Sequence, residues 1–298
     1  MSPEKSPIAK RVQEDFDPIE LAQPDFISVL KLIWHTTRSV LREKPGQILA
    51  SAFLLLMVWG FHGNFELLRV VVPGYWGPGV GIGSRPQLIP GLPWDDELIS
   101  FWAGALIVVV VPMLLIRLLF HERWRDYGLG LPPVGRRSLA IWGFLTLTVL
   151  SLPAFYLGAR NADMQRLYPF YRPFTDWAQF AIYELTYFPF FLAIEFIFRG
   201  YLLFGLESIG PGHVRAAAGG APAPVFFGKY ALLIQMLSYT AWHLGKPLPE
   251  LWGTLVWGIA AGSIAWAVRS IWPVVLSHWL LNVFLDGLIV HNLSLIRK

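Results

Sequence analysis

The sequence predicts an all-α fold, a polytopic transmembrane helical bundle of about seven or eight spans. Three observations predict it. The chain of 298 residues is 55% hydrophobic and only 15% charged, whereas soluble domains carry about a quarter charged residues. Apolar runs recur along it, several near the roughly twenty residues that cross a bilayer core. It also holds fourteen Trp and ten Tyr, rings that favour the headgroup level on both sides of a membrane.

Residues 1–47 are polar and mixed in charge. They lack the basic region, apolar core and small-residue cleavage site of a signal peptide, and read as a cytoplasmic N-terminal arm. Its VLKLIWHTTRSVLREKP portion suits an amphipathic helix on the membrane surface and, equally, a solvated helix. The transmembrane domain then runs over 48–298. Candidate spans fall at 48–68, 99–119, 138–158, 177–206, 225–244, 251–268 and 271–293. Asn64, Glu66 and Arg69 make the end of the first span polar. The fourth exceeds the needed length, and Pro189 within it is expected to kink it or divide it in two.

Basic residues set the orientation. Lys31, Arg38, Arg42 and Lys44 precede the first span, and Arg123, Arg125, Arg136 and Arg137 lie between the second and third. The loop between the first two spans holds Arg85 against Asp95, Asp96 and Glu97, and its PGYWGPGVGIG run reads as irregular and external. The N-terminus is therefore expected in the cytoplasm, in an integral protein of a prokaryotic cytoplasmic membrane. A seven-span count would leave Arg297 and Lys298 outside. The ESIGPGHVRAAAGGAPAP stretch, 207–224, reads as a Pro/Gly/Ala-rich linker with His213 as a solvated loop residue. The formal charge of +4 suits anionic lipid. Its scatter between spans argues against nucleic acid as a partner. The chain has no cysteine, which excludes disulfides, thiolate nucleophiles and Cys-ligated metals.

Against this apolar background a few polar residues stand out. Glu195 and Arg199 lie in FLAIEFIFRGYLLFG. Ionisable groups at such depth are costly unless they face protein, water or a partner charge, and their i,i+4 spacing lets them meet on one helical face. His243 closes the fifth apolar segment. His278, Asn282 and Asp286 recur at i,i+4 in SHWLLNVFLDGL and present three polar groups on one face. Glu184 precedes Glu195 by three helical turns and fits either the same face or the outer interface. Glu250 follows His243 by seven residues, but Pro247 and Pro249 interrupt a shared helix, so it is expected to fold over the site or pair with Lys246. His35, His62, His121 and His291 have no expected chemical part.

Blander roles exist for each group: an ion pair for Glu195 and Arg199, a span-end position for His243, helix–helix adhesion for Asn282. Together the groups fit two mechanisms. In one, Glu195 and His243 deprotonate a water that attacks an amide carbonyl, while His278 and Asn282 stabilise the oxyanion. In the other, the two histidines and a carboxylate hold zinc, although no HExxH is present. A serine mechanism lacks its GxSxG elbow.

The three segments resemble the CPBP family of intramembrane endopeptidases, the CAAX-protease and bacteriocin-processing (Abi) group. Its motifs are Glu-Glu-x-x-x-Arg, Phe-x-x-x-His and His-x-x-x-Asn/Asp on successive helices. They appear here as Ile194-Glu195-Phe196-Ile197-Phe198-Arg199 followed by Gly200, as Tyr239-Thr240-Ala241-Trp242-His243, and as His278-Trp279-Leu280-Leu281-Asn282. The resemblance covers roughly 177–295. It implies a glutamate-dependent, metal-independent protease without a cofactor, acting on a membrane-associated protein or peptide. Members of the family process prenylated proteins, bacteriocin-related peptides or C-terminal sorting signals. It also implies that Glu195, His243, His278 and Asn282 are catalytic, with Arg199 of the first motif in support; Glu184, Glu250 and Asp286 are supporting candidates by their positions alone. One departure matters: the first glutamate of the pair is Ile194 here. Glu195, Glu184 or Glu250 is left to supply that carboxylate, or the scaffold is an inactive binding or regulatory protein. A transporter would show inverted repeats and paired broken helices, and neither is evident.

Overall fold

The computed structural model describes residues 26–62, 92–94, 98, 102, 104–207 and 227–296. The expectations for residues 1–25, for Asn64, Glu66, Arg69, Arg85 and Asp95–Glu97, for the linker at 208–224 with His213, and for Arg297 and Lys298 lie outside the described residues. The chain divides into two compact units, Met1–Gln47 and Ile48–Lys298.

In the first unit, helix α1 (Phe26–Arg42) has no buried residue. Its apolar side chains at Phe26, Ile27, Val29, Leu30, Ile33, Trp34, Val40 and Leu41 are exposed and fall on one broad arc at 100° per residue, with the exposed Leu32 outside it. Lys31, His35, Arg38 and Arg42 fall opposite, giving the helix two clearly different faces.

The second unit is helical throughout its described residues, apart from turns and an isolated bridge between Phe174 and Ile296. In chain order it contains α2 (Lys44–His62) from Ile48 onward, α3 (Leu106–Leu119), α4 (Arg137–Gly158), the short α5 (Ala162–Leu167), α6 (Trp177–Glu207), α7 (Ala231–Trp242), α8 (Leu248–Val268) and α9 (Trp272–Asn292). Val134–Gly158, which includes α4, together with α6, α8 and α9, are long and apolar enough to cross a membrane. This all-α arrangement of several long apolar helices is consistent with a polytopic helical bundle. Within the expected span at 225–244, helix α7 has 12 residues, about 18 Å at 1.5 Å per residue, against a core of roughly 30 Å. It is bounded by a 3₁₀ turn at Gly228–Tyr230 and by the turn that begins at His243.

α6 is the central helix. In its most apolar window 83% of residues are buried, against 17% for the peripheral α4. It starts where Asp176 caps the backbone N–H of Gln179 at 2.7 Å. Pro189 lies inside the helix and does not divide it, so one long element stands where the sequence left two open. The irregularity comes later, as a π-helical stretch at Phe196–Leu202, directly after Glu195. Such widened turns recur at functional sites. Gly200 belongs to it because a Cβ there would come within 2.5 Å of the Phe196 ring.

Small residues bring the neighbouring helices close. At Gly258 and Gly262 of α8 a Cβ would lie 2.7 Å from Met236 and 2.5 Å from Gln235 of α7. Gln235 Nε2 uses that proximity to donate to the Gly258 carbonyl at 2.6 Å. Ser277 of α9, adjacent to His278 in sequence, bonds Thr148 of α4 at 2.9 Å. The far end of α6 is tied to α8 through Glu207, which accepts from Trp266 Nε1 and Arg269 Nη1, both at 2.9 Å.

Candidate active site

A cavity of about 1660 Å³ opens among α2, α4, α6, α7, α8 and α9. One face of α6 enters its wall through Tyr187, Phe190, Phe191 and Ile194, the i, i+3, i+4, i+7 series of a single helical stripe. Ile194, at the position the motif reserves for its first glutamate, is therefore a wall residue. Glu195 is one residue, about 100°, further round the helix. It is fully buried and does not line the cavity.

The Glu195 carboxylate has three partners. His278 Nδ1 approaches Oε1 at 2.6 Å, Trp257 Nε1 donates to it at 3.4 Å, and Arg199 Nε lies 3.3 Å from Oε2. Arg199 is also fully buried, its guanidinium 3.9 Å above the Tyr239 ring, a cation–π contact strengthened by loss of water. The structure thus brings Glu195 to His278 and places Arg199 between it and α7. His278 is fixed on three sides: Glu195 at Nδ1, the Phe191 ring at 5.0 Å and the Trp257 ring at 5.2 Å. Its remaining edge lines the cavity. When the ring is protonated, Nε2 is a second donor.

His243 caps the end of α7, where Nδ1 meets the Tyr239 carbonyl at 2.8 Å. A carbonyl oxygen only accepts, so Nδ1 carries the proton and a neutral ring keeps its lone pair on Nε2. That nitrogen lies 3.7 Å from Oε1 of Glu250. The turn over Leu244–Pro247 reverses the chain, so the first turn of α8 folds Glu250 back onto His243 despite both prolines. Tyr168 OH donates to Glu250 Oε1 at 2.9 Å, and Lys246 Nζ reaches both Tyr168 OH at 2.8 Å and Glu250 Oε1 at 3.5 Å. Burial, with the Glu250 carboxylate adding, pushes the Tyr168 phenol well above its ordinary range, so it remains a donor.

Asn282 lines the cavity one turn beyond His278 and donates from Nδ2 to Asp286 Oδ2 at 3.1 Å. Asp286 is fully buried behind it. Glu184 is buried as well, set against Asp286 and Asn282 with neither carboxyl oxygen in a formed hydrogen bond. His243, Glu250, His278 and Asn282 therefore share one cavity. Glu195, Arg199, Glu184 and Asp286 lie behind its wall.

Tyr168 and Trp257 escaped the sequence reading. Tyr168 sits between spans in RLYPFYRPF, where nothing local marks it. Trp257 did carry a signal, because an indole N–H in the middle of an apolar span needs a buried acceptor. Among the described residues no group of three or more His, Asp or Glu is arranged to hold a metal ion.

The helical bundle and the buried Glu/His/Asn constellation are consistent with a membrane-embedded hydrolase. The family model described as type II CAAX prenyl endopeptidase Rce1-like matches residues 176–284, from the start of α6 into α9. A CAAX-protease family domain is thus identified over this part of the chain, and it supports an enzymatic, CAAX-protease-like identity. No curated protein and no solved structure matches the chain.

Proposed function

We propose that the protein is an intramembrane endopeptidase that hydrolyses a peptide bond of a membrane-associated protein or peptide. The observation that carries this reading is the convergence of His243, His278 and Asn282, from α7 and α9, on one cavity beside a buried glutamate. A water at His243 Nε2 attacks the amide carbonyl while a glutamate accepts its proton. His278 and Asn282 then face the oxyanion as it forms. Glu195 acts through His278: its carboxylate fixes Nδ1 and so aims the opposite edge of the ring into the cavity. Arg199 keeps that carboxylate compensated in an apolar interior. The substrate is a peptide segment at the membrane, near a protein C-terminus if it follows the type II CAAX endopeptidases.

Cleavage of membrane-anchored peptides by purified protein in H₂¹⁸O tests the reading. It predicts one ¹⁸O in the new carboxyl group of the N-terminal product. It also predicts that Asn282→Ala lowers turnover by about 10²–10³, as for loss of one oxyanion donor. A second reading, an inactive membrane binding protein on the same scaffold, is favoured by Ile194 standing in the cavity wall. Tight peptide binding by folded protein without any ¹⁸O-labelled product would establish it instead.

A further inference from the structure

We propose that Glu250 is the carboxylate that takes the proton of the attacking water, in place of a glutamate at position 194. The proposal rests on the peptidase reading of the cavity. Ile194 puts a hydrocarbon where the helix stripe of α6 meets the cavity, at 3% exposure. Glu195 cannot exchange places with it, since its carboxylate faces away and is held by His278, Trp257 and Arg199. Among the described residues lining the cavity, Glu250 is the one carboxylate.

Its setting suits the task. Oε1 lies 3.7 Å from His243 Nε2, beyond a direct hydrogen bond but close enough for one water to donate to both acceptors. The first turn of α8 holds the side chain, and the positive end of that helix favours a carboxylate. Tyr168 and Lys246 supply hydrogen at 2.9 Å and positive charge at 3.5 Å, so the carboxylate is oriented without being neutralised by an arginine fork.

The step balances within the cavity. Water gives one proton to Glu250 as its oxygen bonds to the carbonyl carbon. The carbonyl π pair moves to oxygen, opposite His278 and Asn282. The tetrahedral carbon then expels the amide nitrogen, which takes the proton back from Glu250. One water is consumed, and a carboxylic acid and an amine leave. Position 194 and position 250 thus face one cavity from two helices, and in this proposal a carboxylate at either serves the same water.

The test compares wild type, Glu250→Gln, Ile194→Glu and the double variant Ile194→Glu/Glu250→Gln, purified in lipid nanodiscs, on a library of membrane-anchored peptides. Thermal unfolding is followed in parallel. Glu250→Gln is expected to lower turnover by about 10²–10⁴, the usual share of a general base, with folding retained. The double variant is expected to recover at least about tenfold of that loss, which a merely misfolded Glu250→Gln would not allow. Wild-type turnover by folded Glu250→Gln would overturn the proposal while leaving the peptidase reading intact. A silent wild type with an active Ile194→Glu would overturn it too, showing an inactive scaffold that lacks only its glutamate. Silence in all four would remove the peptidase reading itself.

Discussion

At the scale of single residues, Glu195 and Arg199 form a costly buried contact. Both are fully buried, and taking two charges out of water is repaid only through close geometry and further hydrogen bonds. Arg199→Met should destabilise the protein by about 3–5 kcal/mol, because it strands a buried carboxylate. Thermal or denaturant unfolding in detergent measures this. Glu195→Gln removes the anion but keeps the shape. It should lower kcat with KM nearly unchanged, as expected when the affected group acts on the transition state. An equal rise in KM would place Glu195 in substrate binding. The sequence showed that Glu195, His278 and Asn282 belong together, since polar groups recur at helical spacing in apolar runs. It could not show that Ile194 rather than Glu195 faces the cavity. That depends on the phase of α6 relative to α8 and α9, and on the π-helical stretch beyond Glu195, neither of which adjacent residues reveal.

At the scale of elements, the apolar runs at 138–158, 251–268 and 271–293 were legible because composition and length coincide with a crossing helix. In the run at 225–244, hydropathy records apolar content but not where Gly228–Tyr230 and the His243 turn bound helix α7. The return of Glu250 toward the site and Lys246 was expected despite the break, and the structure shows both contacts. It arises in the turn over Leu244–Pro247, where Gly245 takes a φ of 91°, and the sequence marks Pro247 and Pro249 as a break without giving its direction. The α7–α8 contact relies on close approach at Gly258 and Gly262. Gly258→Leu should push the helices apart, shift the His243-bearing end of α7, and lower both the unfolding midpoint and turnover. A variant stable and active as wild type would refute that packing argument. Helix α1 makes a separate prediction. Its basic face and opposite apolar arc fit the headgroup layer of an anionic membrane. The chain has no cysteine, so Ile33→Cys and Lys31→Cys can each carry one polarity-sensitive fluorophore. Blue-shifted emission at 33 but not at 31 in anionic nanodiscs is the expected result, and equal spectra would indicate a solvated helix.

At the scale of the whole molecule, α6 is the buried axis from which the site is assembled. One of its stripes lines the cavity, and the next binds His278 and Trp257. Its cap at Asp176 and its tie at Glu207 fix the ends between which Glu195 lies. The cavity wall is mostly apolar, and its polar lining includes His243, Glu250, His278 and Asn282. This distribution suits a peptide segment entering from the bilayer and meeting water at one place. The most direct test is cleavage of membrane-anchored peptides by wild type and His243→Ala, each with and without chelator. Cleavage by wild type that withstands chelation and disappears in folded His243→Ala is the predicted result. Undiminished cleavage by His243→Ala, or loss of wild-type cleavage on chelation, would contradict a metal-independent glutamate and histidine site.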